Sequence, residues 1–382
     1  MGLFHKQPGA GHASNGHSKA TRRHERTPET YTMSTRPSFG QWLKHTWFDI
    51  VMMACMGALG LGIYMARPAA NRSFAVTFAD GEIVYPEFAY PLRKEIIPIW
   101  LAAFLAAVVP IVVFLLMQIR VRSFWDVNNA VVGLLYSLIT AAVFQVFLKW
   151  LIGGLRPHFL EICRPDVGLA RGAAAAGEGY NEAGFRELYY TREICTGDET
   201  RINDALESFP SGHTTAAFAG FVYLYLYLNA KLKVFANYHA PMWKLVVLYM
   251  PILTATLIGG ALTVDKFHNW YDVFAGAVIG TAMAFSAYRM CYAAIWDWRF
   301  NHIPLNRTQP FTYAPGDAEL ADAVGTRKVG WGLGRGQSHH VTNGFNGHRA
   351  TNGVDGHYGG DGVDGMTRKP VRGHPRRGDE MV

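Results

Sequence analysis

Three short strings in the 382-residue chain carry side chains whose types and spacing could do chemistry together. KWLIGGLRP holds Lys149 and then Arg156, followed by Pro157; SFPSGHTT holds Pro210, Ser211, Gly212 and His213; TVDKFHNWYD holds His268 and Asp272, four apart. Lys149 and Arg156 supply two cations for a dianionic group, and an arginine can grip phosphate oxygens bidentately. Pro-Ser-Gly-His at a helix start offers a hydroxyl, free backbone N–H groups and the positive end of the helix dipole, an arrangement suited to an anion. Gly212 would let the backbone come close. Two histidines on different elements can divide nucleophilic and general-acid work. Asp272, one helical turn after His268, could orient that imidazole and fix its tautomer. Taken singly, each string has a plainer use: interfacial cations for Lys149 and Arg156, a helix N-cap for Ser211, a structural pair for His268 and Asp272. No metal or other cofactor is expected, because two histidines with one or two acids, and no His-Glu-x-x-His string, make a poor zinc site.

The elements that must position these strings follow from a split in composition. The whole chain is 50% hydrophobic and 17% charged, with net charge +7. Stretches 47–66, 96–119, 129–148, 213–230, 245–262 and 272–296 are strongly apolar and hold only Asp49, Asp272 and Arg289 as formal charges. Each is near the roughly 20 residues that a bilayer core requires. The expectation is an all-α, six-transmembrane-helix bundle over 47–296, with disordered tails at 1–46 and 297–382. Trp47, Trp100, Trp125, Trp150, Trp243, Trp270 and Trp296 fall near span ends, as an interfacial belt would. Lys and Arg outnumber acids in 1–46, 120–128, 231–244 and 297–382 but not in the alternate loops, which puts both tails in the cytosol. Segment 1–46 is polar throughout, so span one is expected to act as an uncleaved signal anchor. On this topology span three ends at Lys149, span four starts at His213 and span six starts near Asp272, so all three strings meet at one extracytosolic boundary. The basic balance is then a topology signal. No basic stripe interleaved with aromatics supports a nucleic-acid partner. A transporter is disfavoured by the lack of mid-membrane charge, apart from Arg289 towards the cytosolic side, and of inverted repeats.

The order KWLIGGLRP, PSGH, HNWYD resembles the lipid phosphate phosphatase family, also called type 2 phosphatidic acid phosphatases. The resemblance covers about 47–296. It implies a metal-free membrane hydrolase of lipid phosphate monoesters such as phosphatidate, lysophosphatidate and diacylglycerol pyrophosphate. It also implies that His268 forms a phosphohistidine, that His213 protonates the leaving alcohol and that Asp272 orients His268. Lys149, Arg156, Ser211 and Gly212 would hold the phosphoryl oxygens. The bilayer and the lipid are the implied partners; no oligomeric state follows. The membrane would be that of the vacuole, the endoplasmic reticulum or the cell surface.

One departure stands out. The family's Ser-Arg pair before the third-string histidine falls on Ala261 and Leu262, and no arginine occurs from 202 to 288. Such a cation is worth a few kcal/mol of transition-state stabilisation. Lys266, two residues before His268, is the candidate substitute. A lipid-phosphate-binding or regulatory relative with weakened turnover is therefore the second expectation. Cys163 and Cys195 share the extracytosolic loop and form a candidate disulfide, while Cys55 and Cys291 are expected to pack within spans. Asn71-Arg72-Ser73 is a glycosylation sequon on the extracytosolic side; Asn306-Arg307-Thr308 would be cytosolic and unused. A loose nine-residue repeat over 342–368 is expected to be a flexible linker or sorting tail.

Overall fold

The computed structural model describes residues 36–67, 73–78, 81–172, 189–307, 309–311 and 313. The helices are α1 (Phe39–Tyr64), α2 (Ile99–Val121), α3 (Phe124–Leu151), α4 (Phe159–Cys163), α5 (Glu199–Ala205), α6 (Gly212–Leu232), α7 (Met242–Val264) and α8 (Trp270–Cys291). Two-residue strands β1 (Phe74–Ala75) and β2 (Tyr189–Tyr190) pair antiparallel. By length and composition, α1, α2, α3, α7 and α8 can cross a membrane.

The expected fourth span, 213–230, is α6, and it is built differently. It packs on α2, α3, α7 and α8, and 18 of its 21 residues are buried. A helix enclosed by other helices does not need a uniformly apolar surface. This is why α6 carries threonines, three tyrosines and Asn229 and falls outside the five membrane-length apolar helices. Small residues let the neighbours close on it. A Cβ on Gly276 would stand 2.7 Å from the Ser211 carbonyl, and one on Gly280 would stand 2.5 Å from that of Thr215. On the α2 side, a Cβ on Gly220 would stand 2.2 Å from the Ala106 carbonyl.

Two polar regions cap the bundle. At one end a small second core gathers Phe74, Phe159, Tyr190, Ile194, Ile202 and Leu206. There Cys163 and Cys195 are joined by a disulfide. At the other end Lys231 donates to Asp126 at 2.5 Å, both side chains being fully enclosed. The hydroxyl of Tyr227 (2.8 Å) and the amide of Gln118 (2.9 Å) donate to the same carboxylate. Lys233 donates to the carbonyl of Trp298 and the side chain of Asn301, and Lys244 to the carbonyl of Leu232.

Several expectations change here. The three lysines of 231–244 are buried structural donors rather than free loop charges. The first tail is shorter than expected, since α1 starts at Phe39 behind a Ser38/Gln41 capping box. The last begins later, because residues 297–307 fold onto the bundle and bury Asn301, His302 and Ile303. Within that segment Arg307 pairs with Asp49 of α1. Trp125 is buried, whereas Trp47, Trp100, Trp243, Trp270 and Trp296 face outward. Cys55 is exposed and Cys291 buried. The Asn71 sequon is only partly described, Thr308 of the other sequon is not, and the 342–368 repeat lies outside the described residues.

Removing one member of a buried ion pair leaves the other charge uncompensated, which costs about 3–5 kcal/mol. Asp126→Ala and Lys231→Met should each lower the unfolding temperature in detergent sharply. The double variant should lose less than the sum of the two.

Candidate active site

The three strings meet at the disulfide-bearing end of the bundle. Lys149 sits in the last turn of α3. The chain then turns through Gly153 and Gly154, both at positive φ (56° and 124°), a conformation that glycine adopts without penalty. This turn lays the first string against the second. Gly154 N donates to Leu206 O (3.0 Å), Ser208 N to Gly154 O (3.0 Å), Phe209 N to Gly153 O (3.2 Å) and Arg156 N to Ala205 O (2.9 Å). Arg156 is thereby buried, its Nη2 donating to Asp204 Oδ1 at 2.6 Å and its Nε to Asp204 O at 3.0 Å. Its guanidinium also lies 5.5 Å over the ring of Phe267.

Ser211 is the N-cap of α6: its hydroxyl accepts from Thr214 N, and its own amide donates to the carbonyl of Asp272 (3.1 Å). Gly212 opens the helix. A Cβ there would meet only the Gln145 amide at 3.6 Å, so the protein's own packing does not demand glycine. His213 follows in the first turn. Its Nε2 is buried and has no hydrogen-bond partner among the described residues.

His268 lies just before α8. Its amide donates to Leu262 O (3.1 Å), and its Nδ1 is 3.5 Å from Asp272 Oδ2. Asp272 collects donors from three directions: the Ser208 hydroxyl (2.5 Å), the Asn269 amide N–H (2.9 Å) and the Asn269 side chain (3.3 Å). Burial pushes the His268 imidazole below its ordinary pKa, and Asp272 pulls the other way. The ring is therefore neutral near pH 7 and has a lone pair to offer. With Nδ1 turned to the carboxylate, Nε2 is the nitrogen left for a ligand. The rings of His213 and His268 stand 6.2 Å apart at 72°.

Lys266 sits at φ 62° with its ammonium 4.5 Å over the ring of Tyr90, not against His268. Leu262, at the position of the family's arginine, is buried and apolar. Four contributors were missed from sequence. Ser208 and Asp204 are placed by the backbone pairing of the two strings and act through their side chains, and Phe267 acts through its ring. Glu95 comes from the segment before α2, with Oε1 3.9 Å from His213 Nε2. Burial raises its carboxyl pKa, while Arg156 and Lys149 lower it. A cleft of about 550 Å³ adjoins the site, lined by Arg93, Lys94, Glu95, Ile96, Trp100 and Phe267 among others.

Two imidazoles, an acid behind one of them and two cations thus stand at one end of the bundle. Residues 130–296 match the PAP2 superfamily. A PA-phosphatase related-family protein of Dictyostelium discoideum is 34% identical over 260 residues, 68% of this chain and 73% of its own. Lipid phosphate phosphatase 1 of Arabidopsis thaliana is 31% identical over 65% of this chain and 68% of its own. Diacylglycerol pyrophosphate phosphatase 1 of Saccharomyces cerevisiae is 28% identical over 65% of this chain and 80% of its own. No solved structure matches. The chain belongs to the lipid phosphate phosphatase family of the PAP2 superfamily and is an integral membrane phosphatase.

A hydrogen bond to a charged group contributes about 1.5–3 kcal/mol. Ser208→Ala, which removes the 2.5 Å donor to Asp272, should lower stability by an amount in that range, read by thermal unfolding in detergent. Gly57→Ala, whose new Cβ meets nothing, should not.

Proposed function

We propose that the protein hydrolyses lipid phosphate monoesters without a metal, at the extracytosolic face of the membrane, through a phosphohistidine on His268. The single observation that supports this most is the pairing of His213 and His268 at one end of the bundle, their ring centroids 6.2 Å apart. Two imidazoles this close can serve one phosphoryl group, one attacking phosphorus and the other facing the leaving oxygen. His268 Nε2 attacks phosphorus, and Asp272 holds the ring through Nδ1. His213 protonates the departing alcohol and later takes the proton of the attacking water. Lys149 and Arg156 hold the phosphoryl oxygens, with the N-terminus of α6 and the Ser211 hydroxyl completing the anion site. The cleft beside Glu95, walled by Ile96 and Trp100, suits a headgroup whose acyl chains stay in the bilayer. The names of the relatives favour phosphatidate and diacylglycerol pyrophosphate as substrates, and the family resemblance adds lysophosphatidate.

In this reading α6 is the fourth of six spans, 47–296 is the six-span phosphatase domain and both tails are cytosolic. The basic residues flanking the end opposite the site support that orientation. A second reading, a lipid-phosphate-binding or regulatory protein with weakened turnover, is favoured by Leu262, by the seating of Lys266 on Tyr90 and by the tie of Arg156 to Asp204.

Purified protein in mixed micelles with EDTA should release phosphate from phosphatidate. His268→Ala should abolish release, a loss of at least about 1,000-fold. Leu262→Arg should raise kcat if the missing cation limits turnover. Phosphatidate binding with no release by the wild type would select the second reading.

A further inference from the structure

The segment from Tyr90 to Pro98 crosses the site before α2 begins, and three backbone amides hold it there. Tyr90 N donates to Pro157 O (3.0 Å), Leu92 N to Glu161 Oε2 (2.6 Å) and Ile96 N to Asp265 Oδ2 (3.1 Å). Pro157 adjoins Arg156 in the first string, and Asp265 lies three residues before His268 in the third. The strap is thus tied to both sides of the site, and the side chain it places against His213 is Glu95. The 3.9 Å between Glu95 Oε1 and His213 Nε2 is too long for a hydrogen bond. It is well within the range at which opposite charges interact strongly when shielded from water. The His213 side chain is 6% exposed and that of Glu95 24%.

We infer that Glu95 is a positioning residue for the general acid: its carboxylate holds on His213 Nε2 the proton that the departing alcohol takes. The inference rests on the phosphatase reading above. A general acid must carry its proton when substrate arrives. His213 faces Lys149, Arg156 and His268, and the two fixed cations that attract a phosphate also repel an imidazolium. Of the carboxylates nearby, Asp272 is committed to His268 and Asp204 to Arg156. Glu95 is the one that faces the unpartnered nitrogen. Glu95 in turn faces Arg156, Lys149, Asp204 and Asp265.

The step balances without Glu95 being consumed. The lone pair of His268 Nε2 forms the N–P bond. The P–O bond breaks with its pair on the alcohol oxygen, and that oxygen takes the proton from His213. Water then bonds to phosphorus as neutral His213 takes its proton, and the N–P pair returns to His268.

The test compares leaving groups. An alkoxide departing from phosphatidate needs the proton, whereas the phosphate ester departing from diacylglycerol pyrophosphate is stable without it. Glu95→Gln removes the charge and keeps the size. On phosphatidate, kcat should fall about 10–100-fold with KM within about threefold; on diacylglycerol pyrophosphate, kcat should fall less than about threefold. The alkaline limb of the phosphatidate profile should move at least about one pH unit lower, because an imidazolium without its anion loses the proton sooner. Glu95→Asp, which keeps the charge on a shorter stem, should recover part of kcat and leave the limb in place; it carries the comparison if Glu95→Gln does not fold. Equal losses on both substrates with an unmoved limb, or no loss on either, would overturn the inference and leave the phosphatase reading standing. A wild type that releases phosphate from neither lipid would overturn that reading and this inference with it.

Discussion

The site depends on the backbones of α6 and α8 running in contact. The two glycines that permit it, Gly276 and Gly280, lie one turn apart on the face of α8 that meets α6. With helices this close, the amide of Ser211 at the start of α6 reaches the carbonyl of Asp272 in the first turn of α8. The first turns of the two helices are thereby fixed side by side. His213 and His268, which sit beside those turns, cannot drift apart without breaking a backbone contact in a low-dielectric interior. In a bilayer, apolar side chains gain little by choosing one another over lipid, so such close approach is the available means of setting geometry.

The second constraint is charge. Each end of the bundle buries ionisable groups, and each solves the desolvation problem by gathering donors on one carboxylate. At the far end Asp126 takes Lys231, Tyr227 and Gln118. At the site Asp272 takes Ser208 and both nitrogens of Asn269. The outcomes differ. Asp126 is compensated by a full cation, so its cluster is structural. Asp272 is met by neutral donors only, and Oδ2, the oxygen that takes them, is also the one 3.5 Å from His268 Nδ1, while Oδ1 has no hydrogen-bond partner among the described residues. The same chemistry thus gives a clasp at one end and a polarised imidazole at the other.

What could be read from the chain in advance divides along these lines. Lys149, Arg156, His213, His268 and Asp272 could be named because residue type, spacing and helix direction alone bring them to one end. Ser208 could not, since its reach to Asp272 depends on the pairing of 153–156 with 205–209, and isolated bridges leave no periodicity. Glu95 lies in a loop whose course is set by three long-range amides. The lysines of 231–244 were legible as positive charge and illegible as buried donors, because counting charge says nothing of enclosure. Lys266 has the spacing of a substitute cation, but a left-handed backbone turns its side chain onto Tyr90. The limits of α6 were visible; its place at the centre was hinted only by the tyrosines and threonines that a lipid-facing helix would not favour.

Leu262 separates two things that the family's arginine position combines. Its carbonyl accepts the amides of Phe267 and His268, and this contact sets where the His268 ring begins. A backbone carbonyl serves that purpose whatever side chain the residue bears. The side chain, by contrast, is enclosed and apolar, so in the proposed mechanism the phosphoryl pocket would lack one cation while His268 keeps its place. Arg156 cannot make up the difference freely, because its guanidinium is already divided between the Asp204 carboxylate and carbonyl. On the proposed reading a phosphate would have to compete with Asp204 for Arg156, and that competition would set how tightly the ground state is held. A site with correct geometry and deficient charge loses transition-state stabilisation rather than architecture. The geometry would thus survive with turnover low or high, and the charge around the phosphoryl oxygens, not the placement of the histidines, decides which.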